Sequence, residues 1–538
     1  MSVVARERVA SSRDAELLEA DIEDVPLSQP HRGRLVAGVC GLMVVSLLLG
    51  GQRLRTRYWV DEALTVGIAS HPIASIPGLL VRDGSPPLYY LLLGLWTRVF
   101  GTGEVATHSL SLLIAVATVP IAFWAADRMF TRRTAWFTAA FASLTPFVTY
   151  FAGETRMYSL VVVESILCCV AFSAAFVERR PRGPWWFALT LTALVYTHYW
   201  GLYAAFGAAL ACGFIAVFGD RRGLPQAWLI GFGVPALAFL PWLPTFLGQL
   251  QNTGAPWSHT PTPRALVTEL AALVRDERVL VAIVLALCIG LAPLAVELAR
   301  NGRRSRDRDL FNVMALIVIG VAPVVIGWVV AHAQPSWATR YLAVSVGPLI
   351  LVVGYGLSRA RWIGVVALGV VAVLVTQPFT RISPGIGIER DSKSNAGAIA
   401  TMVRPEIPAR SLVLVTQPEA VPLVEHYLGS GLTYADPRGV VADPQVMDWR
   451  NAEAQLDAAS VPGSLTNELN GLGPGDRVLL VSPASVARDT DTSWIERFRE
   501  LDHQWRDYLE TKTCLRPVLL APAVASDTPY RATVLQCP

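Results

Sequence analysis

PPLYYLLLGLWTRVF, residues 86–100, is where the threading of the chain is settled. As a helix its fifteen residues reach only ~23 Å, short of the ~30 Å hydrocarbon layer of a bilayer. Around it, apolar runs near spanning length recur at about 35–51, 106–127, 134–151, 158–177, 185–200, 201–218, 227–247, 279–299, 311–331, 341–358 and 361–377. These make eleven crossings; adding 86–100 would move every later loop to the other side. Arginine separates the two threadings. With 86–100 not crossing, Arg128, Arg132 and Arg133, Arg179, Arg180 and Arg182, Arg221 and Arg222, Arg300, Arg303, Arg304, Arg306 and Arg308, and Arg359 and Arg361 all fall in cytoplasmic loops. That is the positive-inside arrangement. The stretch is expected to be a juxtamembrane helix in the outer interface, where its tyrosines and Trp96 suit it.

The composition excludes a soluble core. Of 538 residues, 53% are hydrophobic and 16% charged, with a mean hydropathy of +0.43, against about 25% charged in an ordinary soluble domain. A net charge of +3, spread in short clusters, gives no surface for nucleic acid. Residues 1–34 are polar and mixed in charge, so the first apolar run begins too late for a cleaved signal peptide; a disordered cytoplasmic tail is expected. The expected division is a membrane module at 35–377, with a large first external loop at 52–105, and a domain at 378–538. In that last region short apolar strands at 411–416 and 476–482 alternate with helical stretches, which reads as an α/β domain. The odd number of crossings puts it outside the cell membrane. There a disulfide between Cys514 and Cys537 is permitted. The region has no glycine-rich phosphate loop, zinc pattern or GxSxG elbow.

The unusual polar residues gather on the face opposite the arginine clusters. Asp61 and Glu62 open the external loop in RYWVDEA: an acid there suits a general base, and equally an interfacial helix cap. The loop continues through Asp83 and two prolines to Tyr89 and Tyr90, a turn able to return beside Asp61. Glu154, Arg156 and Tyr158 in GETRMY, His198 in YTHYW, and Arg340 with Tyr341 in WATRYL complete the set. Loop charges and interfacial aromatics are ordinary when they stand alone. External arginines are harder to dismiss, because positive charge is depleted on that side and the guanidinium fork matches phosphate oxygens.

WVDEA, DGSPPLYYLLLGLW, the stretch 146–158 ending GETRMY, and ATRYL at 338–342 together resemble the GT-C membrane glycosyltransferases, in the branch of protein O-mannosyltransferases and the lipid A aminoarabinose transferase. The resemblance covers about residues 35–377. It implies inverting transfer from a polyprenyl-phosphate sugar, with Asp61 in or near the catalytic centre, Glu62 as the second acid of the pair, and Arg340 with Tyr341 as the family's external arginine-tyrosine element; on that footing Asp61 is expected to act as base and Arg340, Tyr341 and Arg156 to hold the donor phosphate. Asp83 stands where relatives often carry histidine, which leaves its role open. Only two lysines, Lys393 and Lys512, against abundant arginine and alanine suggest a high-GC actinobacterium. Mannosyl transfer to a lipoglycan or protein of the cell envelope therefore ranks first and arabinosyl transfer second. A lipid-linked glycan transporter and a membrane anchor for the external domain are the readings of other classes. No cofactor is implied; Asp61, Glu62, Glu154 and His198 would hold a divalent cation only if folding gathered them, and ion pairs with the arginines are the preferred reading.

Overall fold

The computed structural model describes residues 29–219, 221, 223–258, 260–274, 277–301, 307–381, 393–486, 491–511 and 513–538. The expected tail falls mostly at 1–28, outside the described residues, as do Arg222, Arg303, Arg304 and Arg306. The membrane part is built from α1 (Gln29–Gly50), α2 (Val60–Ser70), α3 (Ile76–Asp83), α4 (Leu88–Phe100), α5 (Glu104–Met129), α6 (Arg132–Leu144), α7 (Pro146–Phe151), α8 (Tyr158–Phe172), α9 (Gly183–Thr197), α10 (Gly201–Phe218), α11 (Leu224–Phe239), α12 (Leu243–Asn252), α13 (Pro263–Leu273), α14 (Glu277–Asn301), α15 (Arg308–Ala333), α16 (Ala343–Arg359) and α17 (Trp362–Arg381).

Among the described residues, seven helices are long and apolar enough to span, and up to nine if each of two bent pairs is one span. The eleven apolar runs are all helical, but not all reach spanning length. Pro146 divides the run at 134–151 into α6 and α7, since its ring cannot continue the hydrogen-bond ladder. The run at 185–200 is a helix of 15 residues, and the apolar part of α17 is Trp362–Thr376. The bent pairs are α2 with α3, turned by 115°, and α11 with α12, turned by 69°.

Within residues 86–100, Leu88–Phe100 form α4, of 13 residues, below spanning length. The expected external loop is thus three short helices, and α4 packs on α2 and α5 through Tyr89, Tyr90, Leu93 and Gly94. On the opposite face, Glu178 accepts hydrogen bonds from Arg128 (2.8 Å), Arg180 (2.7 Å) and Arg308. Three arginine-bearing loops therefore meet on one side of the bundle.

The C-terminal part adds α18 (Ala396–Val403), α19 (Val421–Leu428), α20 (Ala452–Asp457), α21 (Thr466–Asn470) and α22 (Ser493–Thr511) to strands β1 (Leu412–Val415), β2 (Thr433–Asp436), β3 (Gly439–Val440), β4 (Arg477–Pro483), β5 (Arg516–Ala521) and β6 (Tyr530–Gln536). The sheet order is β3-β2-β1-β4-β6-β5, with β2, β1 and β4 parallel and the outer strands antiparallel. In α22, Trp494, Phe498, Leu501, Trp505 and Leu509 are buried at three- and four-residue spacing, one apolar stripe laid on the sheet. Cys514 and Cys537 are disulfide-bonded.

The two parts share an element. Tyr58, Val60, Ala63, Leu64 and Val66 are buried in the core of the C-terminal sheet, whereas Ile68 and Ala69 of the same helix α2 belong to the core of the bundle. Gly67 sits at the seam: a Cβ there would lie 2.1 Å from the Gln445 carbonyl oxygen, so only glycine admits this approach. Backbone bonds from Trp449 to Arg82 (2.9 Å) and from Asn451 to Asn252 (2.7 Å) fasten the same loop to the ends of α3 and α12.

Candidate active site

Trp59 is extended and α2 begins at Val60, which sets Asp61 and Glu62 in the first helical turn. Successive residues on a helix point in different directions, and the two acids go to different places. Glu62 is wholly buried. Its Oε1 accepts from His108 Nε2 (2.7 Å) and the Thr155 amide (2.8 Å), and its Oε2 from Lys393 Nζ (2.9 Å). His108 Nδ1 also lies beside an acceptor, the Leu54 carbonyl at 3.1 Å, so the ring is held from both nitrogens. Glu62 thus lies between the Lys393 ammonium and the His108 ring, and its contacts leave it no face for a substrate.

Asp61 is different. Its Oδ2 stands 3.3 Å from Arg340 Nη2 and has no hydrogen-bond partner of good geometry. The Arg340 guanidinium lies over the rings of Trp257 (4.7 Å), Tyr341 (5.6 Å) and Trp59 (5.7 Å), and its Nε is buried without a partner. A 3-10 turn, Thr339–Leu342, carries this arginine. Glu269 of α13 holds the turn through the Trp337 indole (2.5 Å) and the Thr339 hydroxyl (3.0 Å), and Ser258 bonds the Trp337 backbone at both ends (2.9 Å each).

Arg156 approaches from the turn before α8. Its Nη1 donates to the Asp61 carbonyl (3.1 Å) and the Thr65 hydroxyl (2.6 Å), and its Nε is buried without a partner. Two guanidinium groups and one carboxylate are therefore fixed around Asp61 with bonding positions left over. Unpaired buried polar groups are costly, and where they gather a ligand is the ordinary reason.

The remaining sequence candidates surround this centre. The His198 ring lies 5.1 Å from that of Tyr341 and 6.2 Å from that of Tyr158, and its Nδ1 accepts the Trp200 amide at 3.2 Å, which leaves Nε2 as the protonated nitrogen of a neutral ring. Asp83 accepts from the Tyr90 hydroxyl (2.9 Å), whereas Tyr89 faces Ser111 of α5 (3.4 Å) inside the bundle. Glu154 is buried, and burial pushes its carboxyl above the ordinary range, with Glu62 and Asp61 adding to the rise and Lys393 and Arg53 opposing it. Asp61, Glu62, Glu154 and His198 are not gathered as a cation site: among the described residues no three acidic, histidine or cysteine side chains are placed to hold a metal ion.

Asp61, Arg340, Trp59 and Trp257 form one wall of a cavity of about 350 Å³, whose other wall belongs to the C-terminal domain. Lys393, His108, Trp257 and Glu269 are not among the site residues singled out from the sequence. Lys393 carried a signal, being one of two lysines in the chain; the other three stand in unremarkable contexts.

No family model matches this chain, and no curated protein matches it. Solved structures do. ArnT from Cupriavidus metallidurans in the apo state superposes with a TM-score of 0.59 at 14% identity, covering 95% of this chain and 99% of that one. The archaeal oligosaccharyltransferase AglB from Archaeoglobus fulgidus, in complex with an inhibitory peptide and a dolichol-phosphate, gives 0.53 at 10% identity over 85% and 70%. The arabinofuranosyltransferase AftD from Mycobacteria gives 0.52 at 16% identity over 95% of this chain and 40% of that one. These likenesses show a common fold: a polytopic α-helical membrane bundle of the GT-C type followed by a C-terminal sheet domain.

Proposed function

We propose that the chain is an inverting glycosyltransferase that moves a sugar from a polyprenyl-phosphate donor to a cell-envelope acceptor at the outer face of the membrane. In this reading residues 35–377 are the catalytic module, the N-terminus is cytoplasmic, and residues 378–538 lie outside. The observation that carries it is the Asp61 carboxylate, 3.3 Å from Arg340 in a cavity, both groups with unfilled bonding positions.

Each group has a part in one displacement. The donor phosphate takes the forks of Arg340 and Arg156, which draws Arg340 from Asp61 and frees the carboxylate. An acceptor hydroxyl attacks the anomeric carbon from the side opposite the phosphate while Asp61 takes its proton. The bond from that carbon to the phosphate oxygen breaks, and the electron pair stays on the phosphate between the arginines. Fixed positive charge where negative charge develops lowers the barrier, and so does alignment of two bound reactants. Glu62, with Lys393 and His108, is the positioning residue that holds the first turn of α2; Tyr341 and His198 close the site behind Arg340. A similar fold has been solved with undecaprenyl phosphate, in ArnT from Cupriavidus metallidurans, which supports the donor class.

Mannose is the first choice of sugar and a lipoglycan or protein the first choice of acceptor. Arabinose is second, favoured by the likeness to AftD along 95% of this chain. A transporter would need ionisable groups along its helices; Glu164 in α8 is instead bonded to Thr197 (2.9 Å). The test supplies purified protein with labelled polyprenyl-phosphate mannose or arabinose and an envelope extract. Asp61→Asn is expected to lower kcat by about 10²–10⁴-fold, the range for a general base. Undiminished transfer by that variant would remove Asp61 as base, and no transfer from any polyprenyl sugar would remove the transferase reading.

A further inference from the structure

The C-terminal wall of the cavity comes from one place in the sheet. β1 and β4 are parallel neighbours, yet the chain leaves β1 for β2 on one side and reaches β4 on the other. Open α/β sheets hold ligands in the crevice beyond the carboxyl ends of strands at such a reversal. Here Gln417 and Glu419, just after β1, and Pro483 and Ser485, at the end of β4, line the cavity that also contains Asp61 and Arg340. The crevice of one domain thus opens onto the reactive acid of the other.

Three polar groups of this wall are incompletely bonded, Glu419, Tyr530 and Arg499. Glu419 is 7% exposed; its Oε1 accepts from Gln417 Nε2 (2.9 Å) and the Trp494 indole (3.2 Å), and its Oε2 has no partner. Tyr530 is 1% exposed, lines the same cavity, and its hydroxyl has no partner. Arg499 is also in the lining: its Nη1 is paired with Asp491 and its Nη2 donates to Ser485 (3.1 Å), which leaves only its Nε without a partner and no two-pronged fork for an anion. A carboxylate repels phosphate, whereas a carboxyl and a phenol each bond a hydroxyl, the carboxyl in either protonation state. Trp449 adds an aromatic surface on this side, facing the enclosure completed by Trp59 and Trp257. At about 350 Å³ the space lies at the small end of ligand pockets, which run from about 300 to 1,000 Å³.

We propose that this crevice is an acceptor subsite that binds the glycosyl end of the acceptor, with Glu419 and Tyr530 bonding ring hydroxyls between the tryptophans and one hydroxyl presented to Asp61. The proposal rests on the transfer reaction above and divides the cavity by chemistry: phosphate on the arginine wall, polyhydroxylated ring on the wall of the sheet domain. The acceptor is then a glycan or glycolipid, not a peptide hydroxyl.

The experiment uses the full chain in detergent with Glu419→Gln and Tyr530→Phe. The phenylalanine variant removes only an unbonded hydroxyl, so its fold is retained. Saturation-transfer NMR with methyl α-mannopyranoside, methyl α-arabinofuranoside and a serine-containing peptide reads binding, and the transfer assay reads KM for donor and acceptor separately. We expect a glycoside to bind the wild type, at least tenfold weaker binding in each variant, and a matching rise in acceptor KM with donor KM unchanged. No glycoside binding to the wild type, a preference for the peptide, or acceptor KM unchanged in both variants would each overturn the subsite. Glycoside binding lost in the variants while no polyprenyl sugar is ever turned over would overturn the transferase reading and leave the subsite standing.

Discussion

Glu62 has both oxygens bonded by Lys393, His108 and Thr155, while Asp61, one position earlier, keeps an oxygen without a partner. Removing one member of a buried ion pair leaves its partner uncompensated, at a cost of about 3–5 kcal/mol. Lys393→Met is expected to destabilise by that order, read as a lowered midpoint of thermal unfolding in detergent. A double variant with Glu62→Gln should lose less than the two single losses combined. Glu154 makes a pH prediction. Its folded carboxyl sits above the unfolded value, so its contribution is complete below the ordinary carboxylate range and is lost as pH rises through the raised folded value. Wild-type stability should therefore decline with rising pH relative to Glu154→Gln, which cannot titrate; parallel pH profiles would refute it. Sequence reasoning finds Asp61, Arg156 and Arg340 because external charge near apolar runs is conspicuous. It does not foresee that Glu62 is fully engaged inside the protein, since one of its partners is a lysine 331 positions away.

Helix α2 completes two cores, which is why the loop at 52–105 could not stay a loop: Val60, Ala63 and Leu64 need an apolar partner, and the C-terminal sheet provides it. Gly67 tests the seam. A Cβ there forces apart two backbones, and overpacking costs about 1–3 kcal/mol. Gly67→Ala should raise hydrogen exchange in residues 443–449 and lower transfer, whereas Gly78→Ala in neighbouring α3, with nothing within 4 Å, should do neither. The strands β1, β2 and β4 are legible as short apolar runs between turn residues. β5 and β6 are less so: Pro517 stands inside β5, RPVLLA, and demotes it as a strand, and β6, YRATVLQ, opens with polar residues. Nor does periodicity reveal the break at Pro146, where one apolar run becomes two short helices.

Across the whole molecule, arginines from separate loops converge on Glu178 at one face, and Asp61, Arg156 and Arg340 meet beneath the sheet domain at the other. The sequence separates the same two groups of residues, because positive charge is depleted in translocated loops; which face is cytoplasmic is a matter for labelling. A cysteine replacing Arg182 should be labelled by an impermeant maleimide only after cells are opened, and a tag following Pro538 should be reached from outside intact cells; the reverse pattern would invert the threading. The contact between Lys393 and Glu62 also bears on how such a chain can change over time. A bundle that lost its C-terminal partner would keep an acid whose neutralising charge had been supplied from beyond residue 381, and a partner borrowed from elsewhere would need a cation at that one position. Exchange of the C-terminal part between relatives is therefore expected to be better tolerated where a cation is kept at that position, read as the amount of folded protein recovered from chimaeras with and without it.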